Sequence, residues 1–209
     1  MVKSVLSLAL FTSGFLFCVN ANAAAFDCSK ADGTVEEYIC QHPDLQQLDS
    51  KLNDSYQSVL SQLQGAEKST LKAVQRGWIK ARNECWKSDK LGQCINHSYR
   101  SRLTELQIAD GKVAVPTPVF YQCDNAKLEV YFYNDTEVPA AVINLLPQGQ
   151  GDDQRIAMIS ESASGAKYEA QNLTLWTKGQ SATLIRYGLA DEQCRATNPK
   201  ALTDNTIPN

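Results

Sequence analysis

Between Asp110 and Pro118 the chain reads DGKVAVPTP, and this stretch divides the sequence into two parts with different hydrophobic periods. Two prolines and a glycine so close together are typical of a linker. Before the linker, residues 24–109 repeat their apolar positions every three to four residues, which predicts helices. After it, residues 119–198 alternate apolar and polar positions, which predicts strands. We therefore predict two domains, 24–109 and 119–198, joined by a 110–118 linker and followed by a 199–209 tail.

Three apolar faces predict three helices in the first part. The first helix runs from about residue 44 to 64, since Pro43 suits a helix start and Gly65 interrupts the pattern. Short connections make such helices antiparallel neighbours. The three faces consist of Leu45, Leu48, Leu52, Tyr56, Val59 and Leu63, then of Leu71, Val74, Trp78, Ala81 and Cys85, and finally of Ile95, Tyr99, Leu103 and Leu106.

The second part predicts several short strands at nearly regular spacing. Residues 128–133 alternate strictly, residues 138–146 form a longer apolar strand, and four shorter runs follow between glycine, serine, asparagine and aspartate. Those four runs are 155–159, 166–169, 173–177 and 182–187. Short antiparallel strands in such a series predict a small barrel or a sandwich.

Residues 1–23 have the pattern of an export signal. Lys3 precedes an apolar run over 5–19, and residues 21–23 read ANA, so we expect cleavage after Ala23. The run is too short for a membrane span. Cys18 lacks the small preceding residue that lipoprotein processing needs. We therefore expect a soluble periplasmic protein and not a lipoprotein.

The mature chain keeps six cysteines, and an even number after an export signal predicts three disulfides. They are Cys28, Cys40, Cys85, Cys94, Cys123 and Cys194. A helical hairpin brings Cys40 near Cys85 and leaves Cys28 for Cys94, although local pairing of Cys28 with Cys40 and of Cys85 with Cys94 stays open. A bridge from Cys123 to Cys194 would close a loop of about 70 residues. No C-x-x-C spacing occurs, so no metal site is predicted.

The charge balance excludes a general nucleic-acid binder, because 20 basic residues face 23 acidic ones, a net charge of −3. The imbalance lies in one half. Residues 24–115 carry 12 basic and 12 acidic side chains, whereas residues 116–209 carry 7 and 11, a net charge of −4. The second half is therefore expected to have either a cationic partner or simply a solubilising acidic surface.

Enzymatic interpretations find little support. Residues 164–167 read SGAK and residues 177–179 read TKG, similar to two motifs of penicillin-recognising serine enzymes, but the first must begin a buried helix in a larger domain. His42 and His97 lie in the helical part, so no Ser-His triad is predicted. Asp152 and Asp153 follow a glycine-rich turn and predict a solvated turn. We expect no enzyme and no metal or other cofactor.

Two glycine-containing loops between strands remain, one with Ser164 and the other with Lys178. A hydroxyl both donates and accepts hydrogen bonds, and an ammonium pairs with an ionised carboxylate. Retaining glycosidases hold one protonated and one ionised carboxyl group about 5 Å apart. The two loops could therefore occupy such a site without being cleaved. Ordinary turn-forming and solvated roles for both residues are the alternative.

The second part resembles the MliC family, the periplasmic and membrane-bound inhibitors of c-type lysozyme. The resemblance is carried by residues 121–125, 128–131, 162–168, 176–179, 182–184 and Cys194. It implies a small antiparallel β-barrel closed by a Cys123–Cys194 disulfide. It also implies that Ser164 and Lys178, with Gly165, Lys167, Tyr168 and Gly179 around them, bind the lysozyme cleft. Tyr168 would support its loop, and Lys167 stands where the family has arginine.

The first part is similar to the LprI-like N-terminal domain over residues 26–106. The shared positions include all four cysteines of this part together with Asp49, Tyr56, Trp78, Arg82, Asn83, Tyr99 and Arg102. This resemblance implies a helical fold and an association with lysozyme inhibition. It assigns no inhibitory residue.

Taken together, these observations predict an α+β protein, a disulfide-linked helical hairpin or small bundle followed by a small antiparallel β-barrel. We expect an exported bacterial inhibitor of c-type lysozyme from a host or a competitor, with no nucleic acid as partner. The alternative is an envelope or peptidoglycan-binding module without enzyme inhibition, and exposed aromatic side chains on the helical part would favour it. A serine hydrolase would instead be labelled at Ser164 by an active-site serine reagent.

Overall fold

The computed structural model describes residues 25–146 and 153–204, and it contains a helical part followed by a closed β-barrel. This is the fold class that the two hydrophobic periods and the family resemblance predict. Cys18, the expected cleavage after Ala23 and Asp152 lie outside the described residues. Within those ranges, no helix carries an apolar stretch long enough to cross a bilayer.

The helical part has four α-helices: α1 (Thr34–Gln41), α2 (Pro43–Gln62), α3 (Gly65–Asn83) and α4 (Leu91–Asp110). Short 3-10 helices cover Cys28–Lys30 and Glu84–Lys87. Pro43 begins α2, where its missing N–H has no cost. The sequence prediction missed α1, because about two turns give too little periodicity to detect.

The core of this part lies between α2 and α4. The predicted apolar faces of both helices are correct there, and the fully buried members are Leu45, Leu52, Val59, Ile95, Tyr99, Leu103 and Leu106. The predicted face of α3 is partly wrong. Leu71 and Trp78 are half-buried, but Val74 and Ala81 are exposed, because α3 turns Arg82 toward the core instead.

A buried polar network joins all four helices. The Arg82 Nη1 donates to the Tyr99 hydroxyl (2.8 Å), which donates to Oδ1 of Asp49 (2.8 Å). Nη2 of Arg82 lies 3.5 Å from Glu36, which adds α1 to the network. Burial raises the pKa of Tyr99 well above its ordinary value. The network gives structural roles to Asp49, Arg82 and Tyr99, which the sequence marked only as shared positions.

The two N-terminal disulfides are local: Cys28–Cys40 and Cys85–Cys94. The pairing expected from the hairpin, Cys40 with Cys85 and Cys28 with Cys94, is wrong. The first 3-10 helix and α1 bring Cys28 and Cys40 to a Cα separation of 5.8 Å, and the second 3-10 helix does the same for Cys85 and Cys94 (5.7 Å). Each bridge therefore closes a short turn.

The C-terminal part is an eight-stranded up-and-down barrel, so the open alternative of a sandwich is wrong. Each strand pairs antiparallel with the next, and β8 returns to β1, where Cys123 and Cys194 face each other and form the predicted disulfide. The strands are β1 (Val119–Cys123), β2 (Lys127–Tyr133), β3 (Ala140–Leu146), β4 (Asp153–Ser160), β5 (Ala166–Ala170), β6 (Leu173–Lys178), β7 (Ser181–Arg186) and β8 (Glu192–Ala196).

The barrel interior is filled by alternate side chains of every strand. Val130, Leu175 and Leu184 are fully buried, and so is Tyr168, whose ring centroid lies 5.3 Å from that of Phe132. After β8, a short helix α5 (Lys200–Asp204) occupies the segment expected as a tail, and Ala201 is buried against the barrel core.

The β2–β3 loop, residues 134–139, joins the barrel to the helices. Glu137 binds Lys51 of α2 (2.5 Å) and Arg100 of α4 (3.2 Å). Thr104 exchanges two hydrogen bonds with the backbone of Val138. In an up-and-down barrel every second connection lies at the same end, so the helices attach at the end that also carries the β4–β5 and β6–β7 connections.

Candidate functional site

The β4–β5 loop, residues 161–165, presents Ser164 at the barrel end. The Ser162 hydroxyl donates to the carbonyl of Gly165 (2.8 Å), and Nε1 of Trp176 donates to the carbonyl of Ser164 (2.8 Å). Both bonds use the loop backbone. The loop is therefore fixed from within and from β6, while the Ser164 side chain stays exposed.

Gly165 lets this loop lie directly on β6. Its φ of +69° is a left-handed conformation, and a Cβ at this position would lie 2.2 Å from the Thr177 carbonyl oxygen. Such a distance is far inside van der Waals contact, so only glycine fits. The glycine in the S-G motif is thus required for packing the loop and offers no side chain to a partner.

Lys178 is the last residue of β6, beside the two-residue turn to β7. Leu175 and Thr177 point into the barrel, so the strand alternation points Trp176 and Lys178 outward. Gly179 has a φ of +56°, which supplies the left-handed residue that a tight hairpin turn needs. The backbone N–H of Ala196 donates to the Gln180 carbonyl (2.8 Å) and ties this turn to the end of β8.

Ser164 and Lys178 line one shallow cavity of about 280 Å³, together with Trp176, Ser181, Ala182, Thr183 and Gln193. The structure therefore brings the two predicted residues together at the surface. Among the residues that the structure describes, neither the Ser164 hydroxyl nor the Lys178 ammonium has a hydrogen-bond or ion-pair partner. The site can offer one neutral hydroxyl and one unpaired cation to the same bound group.

The neighbouring positions behave differently from these two. Lys167 forms an ion pair with Glu169 on the outside of β5, and this hydrogen bond lowers the pKa of Glu169. Tyr168, which we also expected at the binding surface, is wholly buried and cannot contact a partner. Burial raises its pKa to about 12. Its ring supports β5 from inside the barrel, which leaves it the supporting role alone.

The cavity wall also contains three residues that were not predicted as site residues: Trp176, Thr183 and Gln193. They form one row across three strands, because Trp176 pairs with Thr183 and Thr183 pairs with Gln193. Trp176 is 40% exposed although it is the largest side chain in the cavity wall. The alternation of β6 could have predicted this, because Trp176 lies two residues before the outward Lys178 and therefore faces the same side of the strand.

Other candidate residues do not form a site. Nδ1 of His42 donates to the Tyr38 carbonyl (2.6 Å), and the imidazole stacks on the Tyr38 ring. His97 lies in the cleft between α4 and the β2–β3 loop, and Asp153 pairs with Arg155. In the described ranges no three His, Cys, Asp or Glu side chains are grouped so that they could hold a metal ion.

Family models match both parts of the chain. Residues 27–110 match the model described as lysozyme inhibitor LprI, and residues 121–193 match MliC, described as membrane-bound lysozyme-inhibitor of c-type lysozyme. Among curated relatives, lipoprotein LprI of Mycobacterium tuberculosis and that of Mycobacterium bovis are each 31% identical over 154 residues, which is 73% of this chain and 74% of theirs.

One solved structure is also similar to the chain. It is MliC of Pseudomonas aeruginosa in complex with hen egg white lysozyme, with 27% sequence identity and a TM-score of 0.30. The similarity covers 41% of the present chain and 87% of that one.

Proposed function

The chain belongs to the LprI family, and on this premise we propose that it inhibits c-type lysozyme by covering the catalytic cleft with the cavity around Ser164 and Lys178. The observation that carries the proposal is that these two side chains line one exposed cavity and have no partners within the described residues. The protein acts as a binding partner and not as an enzyme.

The chemistry of the cavity matches that of a retaining glycosidase. Such an enzyme holds a protonated carboxyl group and an ionised one about 5 Å apart. The Lys178 ammonium would pair with the ionised carboxylate in a partly dry interface, where such bonds are strong. The Ser164 hydroxyl can accept from the protonated acid or donate to either oxygen. Neither group offers a glycosidic bond, so the bound enzyme has nothing to cleave.

The wall of the cavity supports a protein partner. Trp176 gives a large apolar area beside the two polar groups, and tryptophan is common among the residues that dominate binding energy. Its indole N–H is already satisfied by the Ser164 carbonyl. Desolvating Trp176 on binding therefore leaves no orphan donor.

The net charge of the barrel half favours a cationic partner such as lysozyme. Residues 116–209 carry a net charge of −4. Long-range attraction of this kind mainly raises the association rate, and salt weakens it. We expect the association rate constant to fall as the ionic strength rises, while the dissociation rate changes little.

The setting of this activity is the bacterial envelope. Three disulfides require an oxidising compartment, which the periplasm provides. Export through the expected signal, with cleavage after Ala23, would place the inhibitor where a lysozyme from a host or a competitor attacks the cell wall.

An inhibition assay on Ser164→Ala, Lys178→Ala and the double variant tests the proposal. Loss of a central binding residue costs about 2 kcal/mol, or roughly thirtyfold in affinity, so we expect the double variant to be far weaker than either single one. Lys127→Ala removes an exposed lysine at the opposite end of the barrel and is the matched control. Wild-type potency in the double variant would reject the proposed contact.

A further inference from the structure

Helix α3 carries a row of four basic side chains that the proposed inhibition does not use. Lys68, Lys72, Arg76 and Lys80 follow one another at four-residue steps, so they lie along one side of the helix, about 6 Å apart. Lys72, Arg76 and Lys80 are exposed and Lys68 is half-buried. We call these four residues the cationic row.

The row has no charge compensation in the structure. No hydrogen bond or ion pair involves these four side chains in the part of the chain that is described. Glu84, one turn after Lys80, is paired with Lys87. Residues 65–87 contain six basic and two acidic side chains, although the helical half as a whole is neutral. Like charges four residues apart destabilise a helix, so the row lowers the stability of α3.

A groove between α2 and α3 runs beside the row. It has a volume of about 260 Å³, and its walls include Phe26, Tyr56, Trp78 and Ile79. The planar amides of Asn53 and Gln75 also line it, as do the carboxylates of Glu36 and Asp49, which are both paired with Arg82. Ile79 is 37% exposed and lies three residues after Arg76, so the same side of α3 carries the row and one wall of the groove.

We infer that the cationic row and this groove bind peptidoglycan, with the groove on the glycan strand and the row on the carboxylates of the stem peptides. The apolar faces of sugar rings pack on aromatic side chains, planar amides bond to ring hydroxyls, and stem-peptide carboxylates pair with the row. The inference goes beyond inhibition, because it concerns a different ligand on a different half of the molecule.

Two other occupants fit the surface less well. Lysozyme is cationic and would be repelled by the row. An anionic lipid surface would need apolar side chains beside the basic ones to insert between lipids, as in interfacial helices. The most exposed apolar residue of α3, Val74, is two residues from Arg76 and therefore projects from another side of the helix.

Co-sedimentation of the full-length mature protein with purified peptidoglycan sacculi tests the inference. The variant is the triple reversal Lys72→Glu, Arg76→Glu and Lys80→Glu, and the control is Lys30→Glu, Lys90→Glu and Lys127→Glu, which changes the net charge equally. We expect the wild-type and control proteins to bind sacculi, and the row variant to bind at least about tenfold more weakly, since three attractive contacts become repulsive.

Three results would overturn the inference. The first is unchanged binding of the row variant. The second is an equal loss in the control, which would indicate a general charge effect. The third is binding to phosphatidylglycerol vesicles but not to sacculi. Inhibition of lysozyme on a short soluble oligosaccharide substrate should stay within about twofold in the row variant, since no residue of the row lines the Ser164–Lys178 cavity. This assay separates a failure of the inference from a failure of the proposed inhibition.

The groove itself is tested by tryptophan fluorescence. Trp86→Phe and Trp176→Phe leave Trp78 as the only indole, and soluble peptidoglycan fragments should shift its emission. Ile79→Ser in that background removes an exposed wall of the groove and should weaken the response several-fold. If the emission of Trp78 does not change when fragments are added, the groove is not the binding site, even if the row binds sacculi.

Discussion

The two halves of the molecule are stabilised by different means. The barrel core consists of the apolar and aromatic side chains at alternate positions of the strands. Among the described residues its one buried charged side chain is Glu192, and Glu192 pairs with Arg186. The helical half places Asp49, Arg82 and Arg102 inside a smaller core. Sheet alternation alone can fill a closed barrel, whereas α3 contributes so few buried apolar side chains that a charged network must fix its position.

This difference has a consequence for function. Because the barrel core is filled from inside, the side chains of Ser164 and Lys178 are not needed for its packing. In the helical half Asp49, Arg82 and Arg102 are used inside, and the exposed side of α3 remains available. The comparison is therefore tested by pairing a substitution in the helical half with a similar one in the barrel.

The largest effect is expected for Arg82→Met. The substitution leaves Asp49 and Glu36 without their cation, and breaking a buried pair in this way costs about 3 to 5 kcal/mol. Denaturant unfolding followed by helical circular dichroism measures the loss. Arg155→Met removes the exposed pair with Asp153 on the barrel and should cost less than about 1 kcal/mol. Equal losses in both variants would show that the helical network is not special.

A smaller effect is expected for Gly165→Ala in the barrel, compared with Gly111→Ala at the end of α4. Both glycines have φ near +70°, so each alanine costs about 1 kcal/mol or more from its backbone conformation. At Gly111 the new Cβ meets nothing within 4 Å, whereas at Gly165 it meets the Thr177 carbonyl. The loop must then move.

The effect of this loop movement is measured as the potency of lysozyme inhibition by each variant. We expect Gly165→Ala to lose at least about tenfold in potency while Gly111→Ala keeps it, because a shift of about 1 Å at a binding group is enough to remove its bonds. Full potency in Gly165→Ala would mean that the position of the loop on β6 is unimportant.

The smallest effect concerns pH and the end of α4. The hydrogen bond from Lys112, assisted by Ser58 and Gln62, lowers the pKa of Asp110 below its ordinary value of 3.8. A lowered folded-state pKa gives stabilisation that is present above the ordinary value and is lost as the pH falls through the lowered one. Asp110→Asn should therefore lower Tm at neutral pH, and the difference from wild type should disappear in strong acid. A difference in Tm between Asp110→Asn and wild type that persists in strong acid would contradict the lowered pKa of Asp110.

Strict patterns made much of the fold predictable from the sequence. The α2 and α4 faces and strands β2 to β7 have long or regular alternation. The strands β1 and β8 have only five residues each, and their alternation is broken by the outward apolar Phe120 in β1 and the inward charged Glu192 in β8. The direction of Arg82 and the N-terminal disulfide pairing depend on packing between elements, which periodicity does not describe.

The location of the candidate site was predictable to a similar degree. Ser164 and Lys178 came from the family resemblance and from their glycine-containing loops, and the structure places both on one cavity. Tyr168 was misplaced because a motif shows that a residue is shared but not which side of a strand it faces. Counting from the outward Lys178 would have put Trp176 on the surface and Tyr168, paired with the inward Leu175, inside.

Glu137 limits how the two halves of this protein can be recombined. A single carboxylate holds Lys51 and Arg100 together across the joint. A chimera that kept these helices but took a barrel with a neutral residue at this position would leave two cations facing each other with nothing between them. Exchange of either half by recombination must therefore preserve the acid or replace both of its basic partners.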